Sequence, residues 1–338
     1  KLRICDDPLH LSYLVLVPKT IRRDNSKAAS LSKNDENIRG WRVCQDLTTL
    51  NKNCSNVQRV PSINIDEFMA KLGNKFVSCF DITQCYYHIP LSERAQKLTA
   101  FYVGEDVYAW NRLTMGQISA ASTLKKLFKL CFHKDVLQEF KETQLDPSKH
   151  HLVGESYENF LQSYFDDSYL FSDTFEQHIP RLEAVLFAFR KAGLKINPTK
   201  SQFFTTKFTI LGYEMDTFNL SIFMDKCKVN TILEWRRPSS LYELQSRIAV
   251  LGYFARFLPN FKTTIYPLIH MLRQRQFVWT EIEERAWRTI KLMVAMEIKC
   301  TIPQPNQRLY MFVDASTVGC SQHLFIHEND QLKMVATN

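Results

Sequence analysis

Short apolar runs bounded by turn residues dominate the first two thirds of the chain and predict β-strands. In chain order these runs are YLVLVPK, WRVCQDL, KFVSCFDI, LTAFYVGEDVYAWNRL, ENFLQSYFDDSYLFSD and QFFTTKFTILGYEMD. Between them, the apolar positions of NIDEFMAKLGN, SAASTLKKLFKLCFHKDVLQEF and EQHIPRLEAVLFAFRKAGLKI recur at the spacing of amphipathic helices. The polar stretches 20–40 and 141–156 predict long loops.

From about residue 225 the pattern is mainly helical, in MDKCKVNTILEWRR, SLYELQSRIAVLGYFARFL and EIEERAWRTIKLMVAM. The segment RLYMFVDASTVGCSQHLFI then returns to β-structure. This order predicts an α+β protein, with helices on one side of an antiparallel sheet, then a helical module and the start of a third unit.

Composition and charge narrow the class of protein. Hydrophobic residues make up 45% and charged residues 23% of the chain, as in globular proteins, and no apolar run reaches the length of a membrane span. Lys and Arg exceed Asp and Glu by 43 to 35, and residues 220–300 hold 13 basic against 7 acidic side chains. Such a segment suits a polyanion such as nucleic acid, although a solvated helical face explains the charge equally well.

The nine cysteines contain no Cys-x-x-Cys pair, which indicates reduced thiols in an intracellular protein.

The candidate chemistry lies in acidic residues at strand ends. Asp166 and Asp167 form a pair inside the aromatic sequence SYFDDSYLF, and Asp81 ends a strand pattern. Carboxylates that converge repel one another, and divalent cations relieve this repulsion because they prefer hard oxygen ligands. An Asp pair by itself does not indicate a metal site, because the pair Asp6-Asp7 precedes a proline and is typical of an ordinary turn. Spacing alone therefore leaves two alternatives open, a metal site and separate turn aspartates.

A series of blocks follows along the chain: WRVCQDLTTLNK, FVSCFDITQCYYHIPL, NRLTMG, SYFDDSYLFS, AGLKINPTKSQFF, ILGYEM, LGYFARFLPNF and FVDAS. In this order they resemble the reverse transcriptase of LTR retrotransposons, gypsy-type elements most of all, and more distantly the retroviral enzymes. The first block is similar to the fingers, the next five to the palm and primer grip, LGYFARFLPNF to the thumb, and FVDAS to the first strand of a ribonuclease H domain. The resemblance implies a right-hand polymerase fold of fingers, palm and thumb.

The resemblance also implies an activity, that of an RNA-directed DNA polymerase, a nucleotidyltransferase cut from a retroelement Pol polyprotein. It implies that Asp81, Asp166 and Asp167 are catalytic and bind two Mg²⁺ ions, with Mn²⁺ as an alternative. These ions activate the primer 3′-hydroxyl and hold the triphosphate. Lys200 is implied as a proton donor to pyrophosphate, for which a plain surface lysine is an equal alternative.

Further roles follow from the same resemblance. Arg42 is expected to grip the incoming triphosphate, and Tyr86 to act as the steric gate that excludes a 2′-hydroxyl, with Met115 completing the nucleotide pocket. The implied primer grip comprises Leu211, Gly212 and Tyr213.

The sequence departs from the family in the loop before the template helix. The usual Leu-Pro-x-Gly reads Leu-Thr-Met-Gly at 113–116, and the usual Ala-Pro reads Ala-Ala at 120–121. Because proline restricts the backbone, we expect a less rigid loop around Met115. The fingertip loop is longer than usual, which leaves open whether Lys19, Arg22 or Arg23 meets the triphosphate.

The resemblance divides the chain into fingers and palm at 1–222, thumb at 223–275, a connection-like helical segment at 276–305 and a truncated ribonuclease H-like start at 306–338. Asp314 matches the first metal-binding acid of ribonuclease H, but only residues 315–338 follow it. We therefore expect no ribonuclease H activity from this chain.

The implied partners are RNA and DNA template-primers, dNTPs and other Pol segments (protease, ribonuclease H and integrase), with no membrane. The implied location is the cytoplasm, within virus-like particles. An RNA-dependent RNA polymerase shares the palm and the Asp pair, but Phe165 and Tyr86 argue against it. A degenerate copy that only binds nucleic acid is a further alternative, which the intact aspartates oppose and the lost prolines keep open.

Overall fold

The computed structural model describes residues 2–18, 41–55, 65–143, 147–164, 166–304, 306–315 and 320–337. Its strands are β1 (Leu2–Ile4), β2 (Leu11–Ser12), β3 (Leu14–Pro18), β4 (Trp41–Gln45), β5 (Phe76–Asp81), β6 (Ala100–Val103), β7 (Asp106–Trp110), β8 (Leu161–Tyr164), β9 (Asp167–Ser172), β10 (Gln202–Thr205), β11 (Lys207–Ile210), β12 (Tyr213–Asp216), β13 (Ser221–Met224), β14 (Cys300–Thr301), β15 (Leu309–Ala315), β16 (Cys320–Glu328) and β17 (Gln331–Thr337). Its α-helices are α1 (Thr48–Lys52), α2 (Ile65–Leu72), α3 (Glu93–Leu98), α4 (Ala120–Cys131), α5 (Lys134–Thr143), α6 (His150–Val153), α7 (Phe175–Lys191), α8 (Lys226–Glu234), α9 (Leu241–Tyr253), α10 (Phe261–Gln274) and α11 (Glu281–Ala295). Short 3₁₀ turns cover Cys85–His88, Pro147–Lys149, Tyr157–Asn159 and Ala255–Phe257.

The chain divides into two units. The first comprises residues 1–62, 80–170 and 180–201, and the second comprises residues 63–79, 171–179 and 202–338. Strands β5 and β9 each begin in one unit and end in the other, and they are neighbours in a sheet of order β10-β5-β9-β8. The ends of β5 and β9 that carry the predicted catalytic aspartates both belong to the first unit.

The first unit contains a sheet of order β1-β7-β6-β2 and a separate antiparallel pair, β3 with β4. Strands β6 and β7 form the predicted hairpin, which turns at Gly104-Glu105 with Gly104 at a φ of 64°. Glycine adopts this left-handed conformation without a Cβ penalty. The predicted loop at 20–40 lies outside the described residues, as do Lys19, Arg22 and Arg23.

The core of the first unit lies behind the strands that carry the aspartates. On α4, Leu124, Phe128 and Cys131 are buried at the spacing of one helix face. They join a cluster that includes Phe80 of β5 and Leu170 of β9, both almost completely buried. Because interiors are close-packed, this cluster restrains the strand segments next to Asp81 and Asp167.

The prediction of one long loop over 141–156 is wrong for the residues that the structure describes. Helix α5 runs to Thr143, and α6 follows the turn at Pro147–Lys149. Val153 is buried in the core of the first unit, and the Arg181 Nε–H donates to the Leu152 carbonyl at 3.1 Å. Tertiary packing therefore stabilises helical turns in a segment whose composition favours a loop.

The second unit contains two sheets, of order β11-β12-β13-β14 and β15-β16-β17, and the helices α8 to α11. The Arg247 guanidinium lies over the rings of Trp235 and Trp287, 5.5 and 5.6 Å from their centroids. This stack connects α9 with the end of α8 and with α11. The outermost strand, β15, is exposed along its whole length.

The predicted domain division, the state of the cysteines and the absence of a membrane span can each be compared with the described residues. The predicted segments 223–275, 276–305 and 306–338 all lie in the second unit, and their division by function stays a prediction. All nine cysteines have free thiols, as the sequence predicts. Among the described residues, no helix combines the length and the apolar character that a membrane span needs.

Candidate functional site

The Asp pair lies at the tip of the β8–β9 hairpin, as the pattern predicts. Tyr164 pairs with Asp167 across the two strands, so Asp167 is the first residue of β9 and Asp166 lies in the turn before it. Asp166 is exposed, whereas Asp167 is half-buried. One pair further from the tip, the hydroxyls of Ser163 and Ser168 are hydrogen-bonded at 2.9 Å. The hairpin therefore gives adjacent carboxylates different environments.

Asp81 is the last residue of β5, the strand next to β9 in the sheet. Its side chain is 32% exposed, and the Lys200 Nζ lies 3.9 Å from its Oδ1, at the outer limit of an ion pair. Lys200 is itself largely exposed, so this contact contributes little energy. Asp81 is therefore available to a stronger cationic partner.

The three aspartates interact electrostatically. Burial, followed by the charges of Asp166 and Asp81, raises the pKa of the Asp167 carboxyl from 3.8 to about 6. A hydrogen bond with Tyr169 and the charge of Lys200 oppose this rise only in part. This electrostatic coupling favours one common site over the sequence-based alternative of separate turn aspartates.

The chemistry of these side chains fits a divalent cation. Three carboxylates supply hard oxygen ligands, and a bound cation would offset both the burial and the neighbouring negative charges that raise the pKa of Asp167. In the ranges that the structure describes, no three His, Cys, Asp or Glu side chains already converge into a metal-ligand cluster. The aspartates thus form an electrostatically coupled group and not a closed coordination shell.

Tyr86 lies close to this group. It belongs to the turn Cys85–His88 and packs against the core of the first unit. Burial raises the pKa of its hydroxyl to about 12, with smaller contributions from Cys85 and from the charge of Asp166. The predicted gate residue is therefore within electrostatic reach of a predicted catalytic acid.

The loop that carries Met115 has a support that the sequence did not indicate. Met115 is exposed, and Gly116 after it has a φ of 92°. The Asn51 amide nitrogen donates to the Gly116 carbonyl at 2.8 Å, and the Asn51 Oδ1 accepts from the Ile118 N–H at 2.9 Å. These bonds replace part of the restraint that the missing prolines would supply.

Arg42 lies on β4 opposite Val17, and its side chain is outside the described part of the structure.

The predicted primer grip is a tight turn in the second unit. Leu211 and Gly212 have φ angles of 51° and 84°, both left-handed. The Gly212 carbonyl accepts from the Asp225 N–H at 2.9 Å, and the Leu211 carbonyl accepts from the Tyr253 hydroxyl at 3.0 Å. A Cβ on Gly212 would lie 3.2 Å from the Phe254 ring, so glycine is favoured by both conformation and space.

Other residues fall outside the aspartate group. Asp314 lies on the exposed strand β15 opposite Ser321, and its assignment to a ribonuclease H-like remnant stays a prediction. Sequence reasoning missed Asn51, Asn197 and Ser201, whose side chains support the site through hydrogen bonds. The only signal for the last two was their position in the block AGLKINPTKSQFF.

Comparison with known proteins gives the class to which this fold and site belong. Residues 31–215 match the family model described as reverse transcriptase (RNA-dependent DNA polymerase). The chain belongs to this reverse transcriptase family, and its fold is that of the right-hand polymerases.

The similar proteins include Pol polyproteins of retrotransposons. The chain is 24% identical over 282 residues to the retrovirus-related Pol polyprotein from transposon 297 of Drosophila melanogaster, a match covering 82% of the chain and 24% of that polyprotein. It is 23% identical over 275 residues to the Pol polyprotein from transposon gypsy of the same organism, covering 77% of the chain and 24% of the polyprotein. These matches confirm the predicted resemblance to LTR retrotransposon reverse transcriptases. The chain spans about a quarter of the length of these relatives.

A solved structure shares the fold. The foamy viral protease-reverse transcriptase dRH in complex with double-stranded DNA superposes with a TM-score of 0.75 at 18% identity, over 100% of this chain and 52% of that one. At this identity the similarity establishes the fold alone.

Proposed function

We propose that this chain extends a primer 3′-hydroxyl with deoxynucleotides on an RNA or DNA template, as the polymerase segment of a retroelement Pol polyprotein. The observation that carries the proposal is the placement of three carboxylates on neighbouring strands, since Asp81 ends β5, Asp167 begins β9 and Asp166 lies in the turn before it. Membership of the reverse transcriptase family supports the same reaction.

Asp81, Asp166 and Asp167 are the residues that would hold two divalent ions, Mg²⁺ in preference and Mn²⁺ as an alternative. When bound, such ions lower the pKa of the primer hydroxyl and stabilise charge on the triphosphate and leaving pyrophosphate. Asp166, exposed at the turn, is the more accessible ligand, and the half-buried Asp167 is held by its strand pairing with Tyr164. Both must be ionised to act as ligands, which a pKa of about 6 permits at neutral pH.

Other side chains would select and hold the substrates. Arg42 offers a planar fork of donors suited to a triphosphate. The Tyr86 ring, near Asp166, would exclude a 2′-hydroxyl, and Met115 would line the same pocket. The turn at 211–213 would bind the primer end.

We propose that the nucleic-acid partner is an RNA/DNA or DNA/DNA template-primer. Foamy viral protease-reverse transcriptases with this fold have been solved with an RNA/DNA hybrid and with double-stranded DNA. The 13 basic against 7 acidic residues of 220–300 suit a polyanionic partner. By the same resemblance, the remaining Pol segments are proposed as further partners.

Primer extension on poly(rA)/oligo(dT) with dTTP and Mg²⁺ tests the proposal. We expect extension by the wild-type protein and a loss on the order of 10³-fold in Asp166→Asn, since charge stabilisation by metal ions is worth several kcal/mol. The matched control is Asp135→Asn, an exposed acid paired with His133, which should extend normally. Nucleic-acid binding without extension would identify a degenerate binding protein instead.

A further inference from the structure

One short loop holds the backbone of Asp81 from both sides. The Asp81 N–H donates to the Ser201 Oγ at 3.1 Å, and the Asn197 N–H donates to the Asp81 carbonyl at 2.8 Å. Both bonds join residues more than a hundred positions apart in sequence. We call residues 197–201 the clamp loop. Because these two bonds lie on either side of the Asp81 Cα atom, they restrict its position and therefore the position of the side chain attached to it.

The clamp loop is ordered by its own hydrogen bonds. The Asn197 carbonyl accepts from the Ser201 N–H at 3.0 Å and from the Ser201 hydroxyl at 2.8 Å. The Asn197 Oδ1 accepts from the Thr199 N–H at 3.2 Å and from the Thr199 hydroxyl at 2.8 Å. Such local side-chain bonds give the loop a defined shape without regular secondary structure.

The Ser201 hydroxyl therefore acts in two directions. Its hydrogen is committed to the Asn197 carbonyl, which leaves an oxygen lone pair to accept the Asp81 N–H. If the Ser201 hydroxyl is removed, the Asp81 N–H loses its acceptor and the Asn197 carbonyl loses one of its donors. A water molecule can satisfy both groups, but it does not fix their separation.

The bonds continue on the far side of Asp81. The Thr83 N–H donates to the Lys195 carbonyl at 2.7 Å, and Ile82 forms an isolated antiparallel bridge with Ile196. Lys200, within the clamp loop, places its Nζ 3.9 Å from the Asp81 carboxylate. The end of β5 and the clamp loop are thus joined by backbone bonds, a side-chain hydroxyl and a charge contact.

We propose that Ser201 is a positioning residue for Asp81, so that its hydroxyl fixes the place of one carboxylate relative to the pair at 166–167. This inference rests on the proposed function, because it concerns the geometry of the metal ligands. Ser201 contacts no reacting atom itself; it acts through the backbone of Asp81. Groups that orient metal ligands in this way influence affinity without contacting the ion.

Mn²⁺ binding to the full chain, without nucleotide or template, provides the first readout. We expect Ser201→Ala to weaken Mn²⁺ binding about tenfold, the lower end of the range for groups that orient ligands. Ser201→Thr retains the hydroxyl and should bind within about twofold of the wild type, a difference too small to indicate a lost hydrogen bond. Asp81→Asn is the control that shows how much of the Mn²⁺ binding depends on the aspartates.

Ser92→Ala is the matched control. The Ser92 hydroxyl also accepts one backbone N–H, that of Ala95, at the start of α3. Ser92→Ala therefore removes the same chemical group, and it should leave Mn²⁺ binding unchanged even if the melting temperature falls. Melting temperatures of all variants separate lost positioning from lost folding, and Ser201→Thr keeps the test decisive if Ser201→Ala does not fold.

Primer extension gives the second readout. With saturating template-primer, Ser201→Ala should need about tenfold more Mg²⁺ for half-maximal rate, while KM for the template-primer stays within about twofold. Wild-type affinity for Mn²⁺ in Ser201→Ala, or equal weakening by Ser92→Ala, would overturn the positioning role alone. Failure of the wild-type protein to bind Mn²⁺ through Asp81 would overturn the proposed function and the positioning role together.

Discussion

Tyr213 and Tyr253 are joined by a hydrogen bond, and a second bond links Tyr253 to the turn at 211–213. The Tyr253 hydroxyl donates to the Leu211 carbonyl at 3.0 Å, and the Tyr213 hydroxyl donates to the Tyr253 carbonyl at 3.1 Å. The two rings lie 5.3 Å apart. The end of α9 is therefore tied to a turn whose Leu211 holds an unfavourable left-handed conformation.

Tyr253→Phe should loosen the primer-grip turn while keeping the ring contact. Because Leu211 then loses one of the bonds that stabilise its strained backbone, we expect the extension rate to fall about fivefold, equivalent to one hydrogen bond. Single-nucleotide extension at saturating dNTP measures this rate. Tyr242→Phe, on the same helix and 84% exposed, should extend like the wild type. Equal rates for both variants would remove Tyr253 from this role.

The raised pKa of Asp167 predicts a pH-dependent stability of the metal-free protein. The folded-state pKa is about 6 and the ordinary value is 3.8, so between these values Asp167 binds more protons in the folded state than in the unfolded state. The contribution of Asp167 to stability should therefore decrease as pH rises from about 4 to 6 and stay lower above that range. Asp167→Asn removes the penalty and should stabilise the protein at pH 7 by on the order of 2 kcal/mol.

Urea unfolding in the presence of a chelator, at several pH values, measures this effect. Asp135→Asn is the control, because this acid is exposed and lies away from the Asp pair in sequence. A wild-type stability that does not fall between pH 4 and 6 relative to Asp167→Asn would contradict the raised pKa of Asp167.

Tyr86→Ala should increase ribonucleotide incorporation. The charge of Asp166 contributes to the raised pKa of the Tyr86 hydroxyl, and if the ring is the proposed gate, its removal opens space for a 2′-hydroxyl. We expect the ratio of rNTP to dNTP incorporation to rise on the order of 100-fold, as relief of a steric clash of a few kcal/mol allows. Tyr87→Ala changes the adjacent residue, whose ring packs against Trp110, and should leave the ratio unchanged. An unchanged ratio in Tyr86→Ala would exclude the gate.

Asn51→Ala should weaken nucleotide binding through the loop that carries Met115. The variant removes the bonds to Gly116 and Ile118, and we expect KM for dNTP to rise about tenfold, in keeping with two hydrogen bonds. Asn53→Ala removes a single bond to the Thr49 carbonyl in the same region and is the control. A KM within experimental error of the wild type in Asn51→Ala would show that the loop needs no such support.

Arg247→Met should destabilise the second unit. The guanidinium is 14% exposed and lies over Trp235 and Trp287, so its loss should cost about 2 kcal/mol. Arg247→Lys should not restore the stability, because an ammonium cannot stack as a planar group does.

Arg288→Met supplies the contrast for this stack. Arg247 pairs with Glu243, and Arg288 likewise pairs with Glu284, four residues earlier. The Arg288 side chain is 76% exposed, however, and its loss should cost about 0.5 kcal/mol or less. Tryptophan fluorescence during urea unfolding reports on both variants. Equal stabilities of Arg247→Met and Arg288→Met would contradict a structural role for the stack.

The elements that sequence reasoning predicted correctly are those with local signals. The hairpin that presents Asp166 and Asp167 follows from two β-forming runs with a turn between them, and β5 ends at Asp81 where its apolar run ends. The order of the sequence blocks along the chain predicted the reverse transcriptase family correctly. Local signals failed at His150–Val153, where helical turns depend on burial of Val153 in a core built from distant segments.

The supporting bonds of the site could not be predicted in the same way. Ser201 and Asp81 are 120 residues apart, and neither residue type demands the other. Asn51 and Gly116 are 65 residues apart, and only the folded chain brings them together. A sequence can therefore indicate which residues do the chemistry well before it indicates which residues hold them in place.

The outermost strand of the last sheet affects how the protein should be handled. Strand β15 exposes Leu309, Met311, Phe312 and Val313 at an edge where backbone groups can pair with another chain. Such edges promote aggregation, so concentrated samples should lose solubility through this strand first. Met311→Lys or Val313→Lys would be the smallest change that interrupts this apolar edge and protects the protein in storage.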